Sequence, residues 1–556
     1  MVMICCKEID DYIEYYNKNP NVFNKERKLL IENIVKPLLK QDDIFFDEET
    51  YYNCITFCEK WYYKLYPYQK FIYAFVFMYK DDIPVFRTFL IMMGRGNGKD
   101  GMIAPLVNFL QSQYYGVKNY NIDIVATSEE QSEDTYKVIY DMLEDKSNKE
   151  KFKKYFYWNK EEVINKVTKA RVRYNTSNAK TKDGKKNGAI VYNEYHAYED
   201  DKQIKVFQSG LGKIKHPRIF IITTNGDVRE GPLDELLDVC NGVLNGESNE
   251  LRYLPFICKL DTEEEVDNVE NWEKANPSLP YSPILKDNMM VDYLEMKKFP
   301  SKRSEFMTKR MNIPKRNEEE TITSWDNILR ASFEDKEKKI ERKTPSLIGK
   351  SAIVGIDFAS LNDFASAGFL FKIDGEYIWR ARTWICAKSK FFEDIKFPFA
   401  NKGLVGFTDF EVVYTEAIDA RDMSDWIISE MGKYNVKKIV MDTYRFTLLK
   451  QIFVEKGITV ETKDTPYGLI RMIRYPASIA AIVAPRIEVA FAEGKINIGN
   501  SAIMRWSINN TCVKNKKDGN KSYEKVEPKL RKNDPFMAFV VAMSVQDLLD
   551  EKIIYV

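Results

Sequence analysis

An apolar stretch, Arg87 to Met93, runs without interruption into Gly94-Arg95-Gly96-Asn97-Gly98-Lys99-Asp100-Gly101 and on into the helix-compatible segment Met102 to Tyr114. No other feature restricts the folding of this chain as much. A strand, a glycine-rich turn and a helix in that order form most of a βαβ unit, and the turn's backbone N–H groups together with the helix N-terminus can cradle a phosphate. Lys99 is placed to reach the β- and γ-phosphates of a nucleotide. The spacing is irregular: Met93 holds the position usual for the first glycine, and Asp100 stands where a Mg²⁺-binding Ser or Thr is usual. Taken alone, the loop also reads as a glycine-rich surface turn.

Its surroundings favour the phosphate reading. Buried-type strands recur at Phe86 to Met93, Ile122 to Thr127, Ala189 to Tyr192 and Arg218 to Thr224, separated by helical or mixed segments. That alternation predicts a largely parallel sheet covered on both faces. The strand ending at Tyr192 runs into Asn193-Glu194-Tyr195-His196, where a nucleoside triphosphatase places its metal-side carboxylate and the carboxylate that polarises the attacking water. Glu194 suits the second role, Asn193 is a neutral stand-in for the first, and Asp100 is a candidate to replace the lost charge. His196 reads as a residue that packs or orients Glu194. Thr223, Thr224 and Asn225 follow the last of these strands as small polar groups at the carboxyl edge of the sheet. Upstream, Tyr68 and Gln69 offer a ring and an amide that could stack on and hydrogen-bond to adenine.

A second strand-rich block begins near residue 350. The strand Ile353 to Ile356 ends in Asp357, and Lys438 to Met441 ends in Asp442. A carboxylate at the end of an apolar strand is costly to bury unless it is paired or binds a cation. Asp534 precedes the apolar helix Phe536 to Leu549, which brings its charge to a helix N-terminus. Three acids from two strands and a helix can converge on two divalent cations and cut a phosphodiester, with Asp363 as a fourth candidate ligand; any one of them singly also reads as a cap or turn residue. The run from Arg505 to Lys532 is basic, with Lys514, Lys516, Lys517 and Lys521 around a hairpin tip as candidate contacts to a nucleic-acid backbone; a solvated turn is the competing reading.

Composition sets the outer limits. With 556 residues, 44% hydrophobic and 30% charged, the chain has room for two or more domains and does not read as disordered. The 84 Lys+Arg against 83 Asp+Glu confine any polyanion site to local faces. The longest apolar candidate, Ala477 to Pro485, is too short to span a bilayer, so no membrane partner is expected. The first ten residues lack a secretion signal, which makes the cytoplasm the expected location. Eight Cys without a C-x-x-C pair and two His do not form a zinc site.

The motifs Pro67-Tyr68-Gln69, Arg95-Gly96-Asn97-Gly98-Lys99, Ala126-Thr127-Ser128 with Gln131, Asn193-Glu194-Tyr195-His196-Ala197, Thr223-Thr224-Asn225-Gly226 and Trp272 with Lys274-Ala275-Asn276-Pro277 resemble, in order and spacing, the large terminase subunit of tailed bacteriophages, specifically its HK97-like family. The acids Asp357, Asp442 and Asp534 extend that resemblance over residues 60–548. It implies an α/β fold: an amino-terminal P-loop (ASCE-type) ATPase with a mainly parallel sheet and a carboxyl-terminal RNase H-like nuclease. Expected boundaries are a helical lead-in over 1–45, the ATPase with its lid region over 46–315, a linker over 316–350 and the nuclease over 351–556.

The resemblance also assigns roles. Tyr68, Gln69, Arg95, Asn97, Gly98, Lys99, Asp100 and Asn193 bind ATP, Glu194 is catalytic, and Thr223, Thr224 and Asn225 couple hydrolysis to movement. Asp357, Asp442 and Asp534 are catalytic metal ligands, and Mg²⁺ or Mn²⁺ serves both sites. Implied partners are double-stranded DNA, a portal protein, a small terminase subunit and further copies in a ring, with a monomer in solution and action in the host cytoplasm. The family carries Ser or Thr at position 100 and Asp at position 193, so both residues depart from it. The alternative is a nucleotide-responsive DNA clamp whose ATPase has decayed.

Overall fold

The computed structural model describes residues 4–176, 186–198, 201–226, 228–229, 231–299, 302–314, 321–359, 364–389, 392, 395, 409–443, 446–473, 476–515, 521–526 and 531–550. The chain divides into two compact units, Met1–Lys315 and Arg316–Val556.

The first unit is built on an eight-stranded sheet. In chain order its strands are β1 (Thr88–Met92), β2 (Ile122–Ala126), β3 (Phe156–Trp158), β4 (Glu162–Asn165), β5 (Arg171–Thr176), β6 (Ala189–Asn193), β7 (Arg218–Thr223) and β8 (Tyr253–Ile257), arranged β8-β1-β7-β6-β2-β5-β4-β3. From β8 to β5 every pairing is parallel; β5-β4 and β4-β3 are antiparallel. Every residue of β1, β2, β6 and β7 is buried, as a sheet covered on both faces requires. Register fixes what matters chemically: Thr223 lies beside Met92 and Ile222 beside Asn193, so the loops after β1, β6 and β7 leave one edge of the sheet side by side.

Helices of this unit used below are α1 (Lys7–Lys18), α2 (Pro67–Ala74), α3 (Lys99–Leu110), α4 (Glu129–Glu144), α5 (Pro283–Lys298) and α6 (Arg303–Arg310). The segment expected as a separate lead-in is part of the unit's core. Ile9, Tyr12, Phe23, Leu30, Ile31 and Val35 are buried, and the Tyr12 ring lies 4.3 Å from that of Phe71 on α2. Arg27 is buried as well and donates to the carbonyls of Val22 and Glu273 at 2.7 and 2.9 Å.

The second unit contains β9 (Ser351–Asp357), β10 (Ala365–Ile373), β11 (Glu376–Cys386), β12 (Phe410–Val413), β13 (Asn435–Asp442), β14 (Ile470–Ile473) and β15 (Ile496–Asn497), ordered β12-β11-β10-β9-β13-β14 with β15 on β11. The β9-β10-β11 meander is antiparallel and β13 joins β9 in parallel, a mixed α/β sheet of the RNase H-like kind. A hairpin, β16 (Thr511–Asn515) with β17 (Lys521–Lys525), follows. The apolar helix α7 (Asp534–Met543) then packs on the sheet. Residues 316–350, expected as a linker, belong to this unit from 321 onward: Ile322, Ile328, Ala331 and Phe333 are buried, the first three inside its hydrophobic core. Sparse aliphatics suggested a connector, but those present fall where they pack. Among the described residues no helix is long and apolar enough to cross a membrane.

Candidate active sites

At the carboxyl edge of the first sheet the phosphate loop is held in shape by its own side chains and by distant ones. Asn97 is buried and donates to the Gly94 carbonyl at 2.9 Å and to Asn276 Oδ1 at 2.6 Å. It also accepts from the Ser278 N–H at 3.1 Å. Lys99 is buried, with Nζ 3.3 Å from the Met93 carbonyl. Burial pulls its ammonium below the ordinary lysine value, and Glu194 and Asp100 partly offset this. Arg95 is exposed and lines a cavity of about 260 Å³ together with Asp292, Glu305 and Arg310.

Glu194 follows β6 with a left-handed backbone, φ 47°, a conformation that costs energy for a non-glycine residue and is retained where it aims a side chain. Its Oε2 is shielded from solvent and receives no well-directed hydrogen bond, although His196 Nδ1 lies 3.1 Å away. A carboxylate oxygen shielded from solvent and held beside a histidine suits the task of accepting from a reacting water. Burial pushes this carboxyl up, but His196, Lys99 and Arg95 outweigh it and hold the group below 4.5. His196 Nδ1 also lies 3.2 Å from Thr223 Oγ1 and 3.3 Å from Thr224 Oγ1, so the histidine connects the carboxylate to the end of β7.

The two family departures meet each other. Asn193 Nδ2 donates to Asp100 Oδ1 at 2.7 Å, the Thr135 hydroxyl of α4 donates to the same oxygen, and Asn193 Nδ2 also reaches the Gln131 carbonyl at 2.8 Å. The acid absent from the end of β6 therefore has a counterpart one side chain away, in the first turn of α3, where the helix dipole favours negative charge.

Tyr68 and Gln69 require a correction. Both are 1% exposed. The Tyr68 hydroxyl donates to the Asn97 carbonyl at 3.1 Å and lies 2.9 Å from Ser278 Oγ, and its ring stacks on Phe256. Gln69 caps α2, accepting from the Tyr66 N–H at 2.9 Å, and donates to the Tyr63 hydroxyl at 3.1 Å. With no ring face open to adenine, these two residues support the loop from beneath, because the apolar helix that carries them is drawn into the core.

In the second unit, Ile356 pairs with Met441, which sets Asp357 and Asp442 side by side at the carboxyl ends of adjacent parallel strands. Asp534 is the first residue of α7 and is 4% exposed. That helix crosses β9 at Gly355: a Cβ there would lie 2.1 Å from the Ala538 carbonyl oxygen and 2.8 Å from Ala542 Cβ, so only glycine admits so close an approach. The crossing lies two residues from Asp357 and one helical turn from Asp534. Lys525 Nζ stands 3.5 Å from Asp534 Oδ2. Among the described residues no three acidic, His or Cys groups close to metal-holding distance. The donor type is nevertheless the hard carboxylate oxygen that divalent cations such as Mg²⁺ and Mn²⁺ select. Asp363 lies outside the described residues.

The lysines expected to face DNA divide differently. Lys516 and Lys517 lie outside the described residues. Lys514 pairs with Glu524 across the hairpin at 2.8 Å, and Lys521 pairs with Glu488 at 2.7 Å. Those carboxylates neutralise two of the four proposed backbone contacts. The sequence reading assigned no individual role to Asn276, Ser278, Thr135, Arg310 or Asn312. The Trp272-to-Pro277 motif was visible as a signature, but its bond to the loop spans 179 positions.

Comparison with known proteins concerns the two domains. A family model described as "Terminase large subunit, ATPase domain" matches residues 67–242, and one described as "Terminase large subunit, endonuclease domain" matches residues 247–547. The terminase large subunit of Lactococcus phage p2 is 22% identical over 96% of this chain and 99% of its own length. Protein YmfN of Escherichia coli strain K12 is 26% identical over 60% and 71%. Among solved structures, the HK97 bacteriophage large terminase is 16% identical, covers 90% of this chain and 100% of its own, and superposes with a TM-score of 0.47. The two family models together span most of the chain, which belongs to the terminase large subunit family and carries its ATPase and its endonuclease in one polypeptide.

Proposed function

We propose that this chain is the subunit that both drives double-stranded DNA into a procapsid and cuts the concatemer. ATP hydrolysis takes place at the Lys99 loop and DNA cleavage at Asp357, Asp442 and Asp534. The observation that carries this reading is the clustering of Lys99, Glu194, Asp100 and Asn193 at one sheet edge, in a different compact unit from the paired strand-end acids Asp357 and Asp442.

In the ATPase, the loop amides and Lys99 neutralise and hold the phosphates. Glu194 Oε2 accepts from the attacking water and orients it, with His196 fixing the carboxylate's direction. Asp100 supplies, from α3, the charge that the family draws from the strand, while Asn193 holds Asp100 in place. In the nuclease, Asp357, Asp442 and Asp534 would hold Mg²⁺ or Mn²⁺. Such ions, if held by these carboxylates, would supply the charge that activates water and stabilises the leaving oxygen. Lys525 balances the buried Asp534 charge. Portal protein, small subunit and a ring of copies are the partners this role requires, in the host cytoplasm.

The test is separation of function. Glu194→Gln lowers ATPase kcat by about 10² to 10⁴-fold, the range of a lost general base, and leaves Mn²⁺-dependent plasmid cleavage intact. Asp357→Asn does the reverse. Joint loss of both activities in either folded variant would refute the assignment of two independent sites.

A further inference from the structure

The end of α6 and the two residues after it contact the phosphate loop on one side and the end of β7 on the other. On the loop side, the Arg95 N–H donates to the Lys309 carbonyl at 2.7 Å, and Arg310 Nη1 donates to the Arg95 carbonyl at 2.7 Å. Asp292 of α5 fixes the guanidinium, accepting from Nε at 2.9 Å. Asn276 ties the same segment to the loop, donating to the Arg310 carbonyl at 2.9 Å while accepting from Asn97. The fit leaves no room: a Cβ on Gly94 would lie 2.3 Å from both the Arg310 carbonyl oxygen and Asn276 Oδ1.

On the other side stands Asn312, fully buried with φ 55°, a left-handed conformation that asparagine tolerates better than most residues. It accepts from the Asn225 N–H through Oδ1 at 3.0 Å, and its carbonyl accepts from Asn225 Nδ2 at 3.0 Å. Its own amide donates to the Cys258 carbonyl after β8 at 2.7 Å. Both hydrogen-bond donors of Asn225 are thus engaged by Asn312, while its carbonyl and its Oδ1 accept from Arg229.

We infer that Lys309–Asn312 is the transmission element of the motor: it carries a change at the phosphate loop to Thr223–Asn225, with Asn312 as the positioning residue at the far end and Arg310 at the near end. The inference rests on the proposed role of Thr223–Asn225 in coupling. Arg310 and Asn312 are two residues apart on a stretch held at both ends, so a displacement of the Arg310 anchor is passed over two residues to the amide bonds around Asn312, beside the direct backbone bond from the Met93 N–H to the Thr223 carbonyl. A contiguous bonded path between two groups is a physical basis for coupling only if both ends bias the same element; here the phosphate loop bonds Lys309 and Arg310 and Asn225 bonds Asn312, all within one four-residue segment.

Asn312→Gly keeps the left-handed backbone and removes only the side chain. In the full chain with linear double-stranded DNA, it is expected to leave the KM for MgATP within about twofold and to lower DNA-stimulated kcat by about tenfold or more. Arg310→Gln, at the surface end, is expected to give the same loss of DNA stimulation. Combining Asn312→Gly with Asn225→Gly adds little to either alone, because the two act as a unit. Retained DNA stimulation in a folded Asn312→Gly chain overturns the inference; if that variant does not fold, retained stimulation in Arg310→Gln overturns it. Additive losses in the double variant also overturn it. A wild-type chain whose ATPase DNA never stimulates refutes the motor reading itself, a distinct result.

Discussion

Replacing Gly355 with alanine should disable DNA cleavage while leaving ATP hydrolysis untouched. The added methyl would sit 2.1 Å from the Ala538 carbonyl oxygen, where ordinary contact begins at 3.4 Å, so α7 must retreat by about 1.3 Å or β9 must bend by as much. The obstacle is backbone, and no rotamer change relieves it. Overpacking of this kind costs about 1–3 kcal/mol, which a well-packed unit survives. The functional cost is larger, because the retreating helix begins with Asp534 while the strand it leaves ends in Asp357, and a displacement of about 1 Å in a catalytic constellation costs about 10²-fold. The assay is conversion of supercoiled plasmid with Mn²⁺, run beside phosphate release and a thermal melt on the same preparation. Wild-type cleavage by a folded Gly355→Ala chain would show that α7 does not set the position of Asp534, and the three-acid assignment would fail with it.

Two further outcomes follow from the ATPase site. The Glu194 carboxyl is held below 4.5, so its ionised form is present above that value and is lost only as pH falls through the lower folded one. kcat/KM for ATP should therefore show no acidic limb from this group between pH 5 and 8, and a limb centred near 6 to 7 that disappears in Glu194→Gln would contradict the reading. Asn193→Asp would place a second carboxylate at the 2.7 Å contact with Asp100, where like charges oppose joint ionisation. The single variant should lose about tenfold or more in kcat/KM, and Asp100→Ser combined with Asn193→Asp should recover most of it in a steady-state phosphate-release assay; failure of the pair to recover would mean that the acid has not moved from strand to helix.

Local sequence was enough for β1, β2, β6, β7, β9 and β13, because each is a largely apolar run ended by a glycine or a polar residue, and the β9, β13 and α7 acids stand at the junctions where such runs stop; strands with little apolar content, such as β4 (Glu162–Asn165) and β5 (Arg171–Thr176), gave no such signal. Side chains whose work is done by partners far along the chain were illegible. Tyr68 and Gln69 carry a ring and an amide, the chemistry of an adenine site, yet Ser278 and Phe256 settle their role, and both lie roughly two hundred positions away. Lys521 looked available for DNA until Glu488 closed on it from α-helical chain 33 residues upstream. Residues 321–333 looked like a connector because only their few apolar side chains pack, and periodicity cannot register four contacts.

The same long-range bonding explains why the division of family domains and the division of the folded chain differ. The endonuclease family model begins at residue 247, whereas the first compact unit runs to Lys315. Between those points lie Asn276, Ser278, Asp292, Arg310 and Asn312, every one of them bonded to the phosphate loop, to the segment that braces it or to the end of β7. Severing the chain at 246 would strip the loop of the carbonyls that accept from the Gly94 and Arg95 N–H groups, those of Ala275 and Lys309, and would leave Asn97 without Asn276. Buried polar groups deprived of partners cost about 1–3 kcal/mol each, enough in combination to unmake the loop's shape. The first compact unit therefore keeps the partners of the phosphate loop together as far as Lys315, three residues past Asn312, and separating the chain at the family boundary should abolish MgATP binding by the 1–246 fragment while a 1–315 fragment retains it.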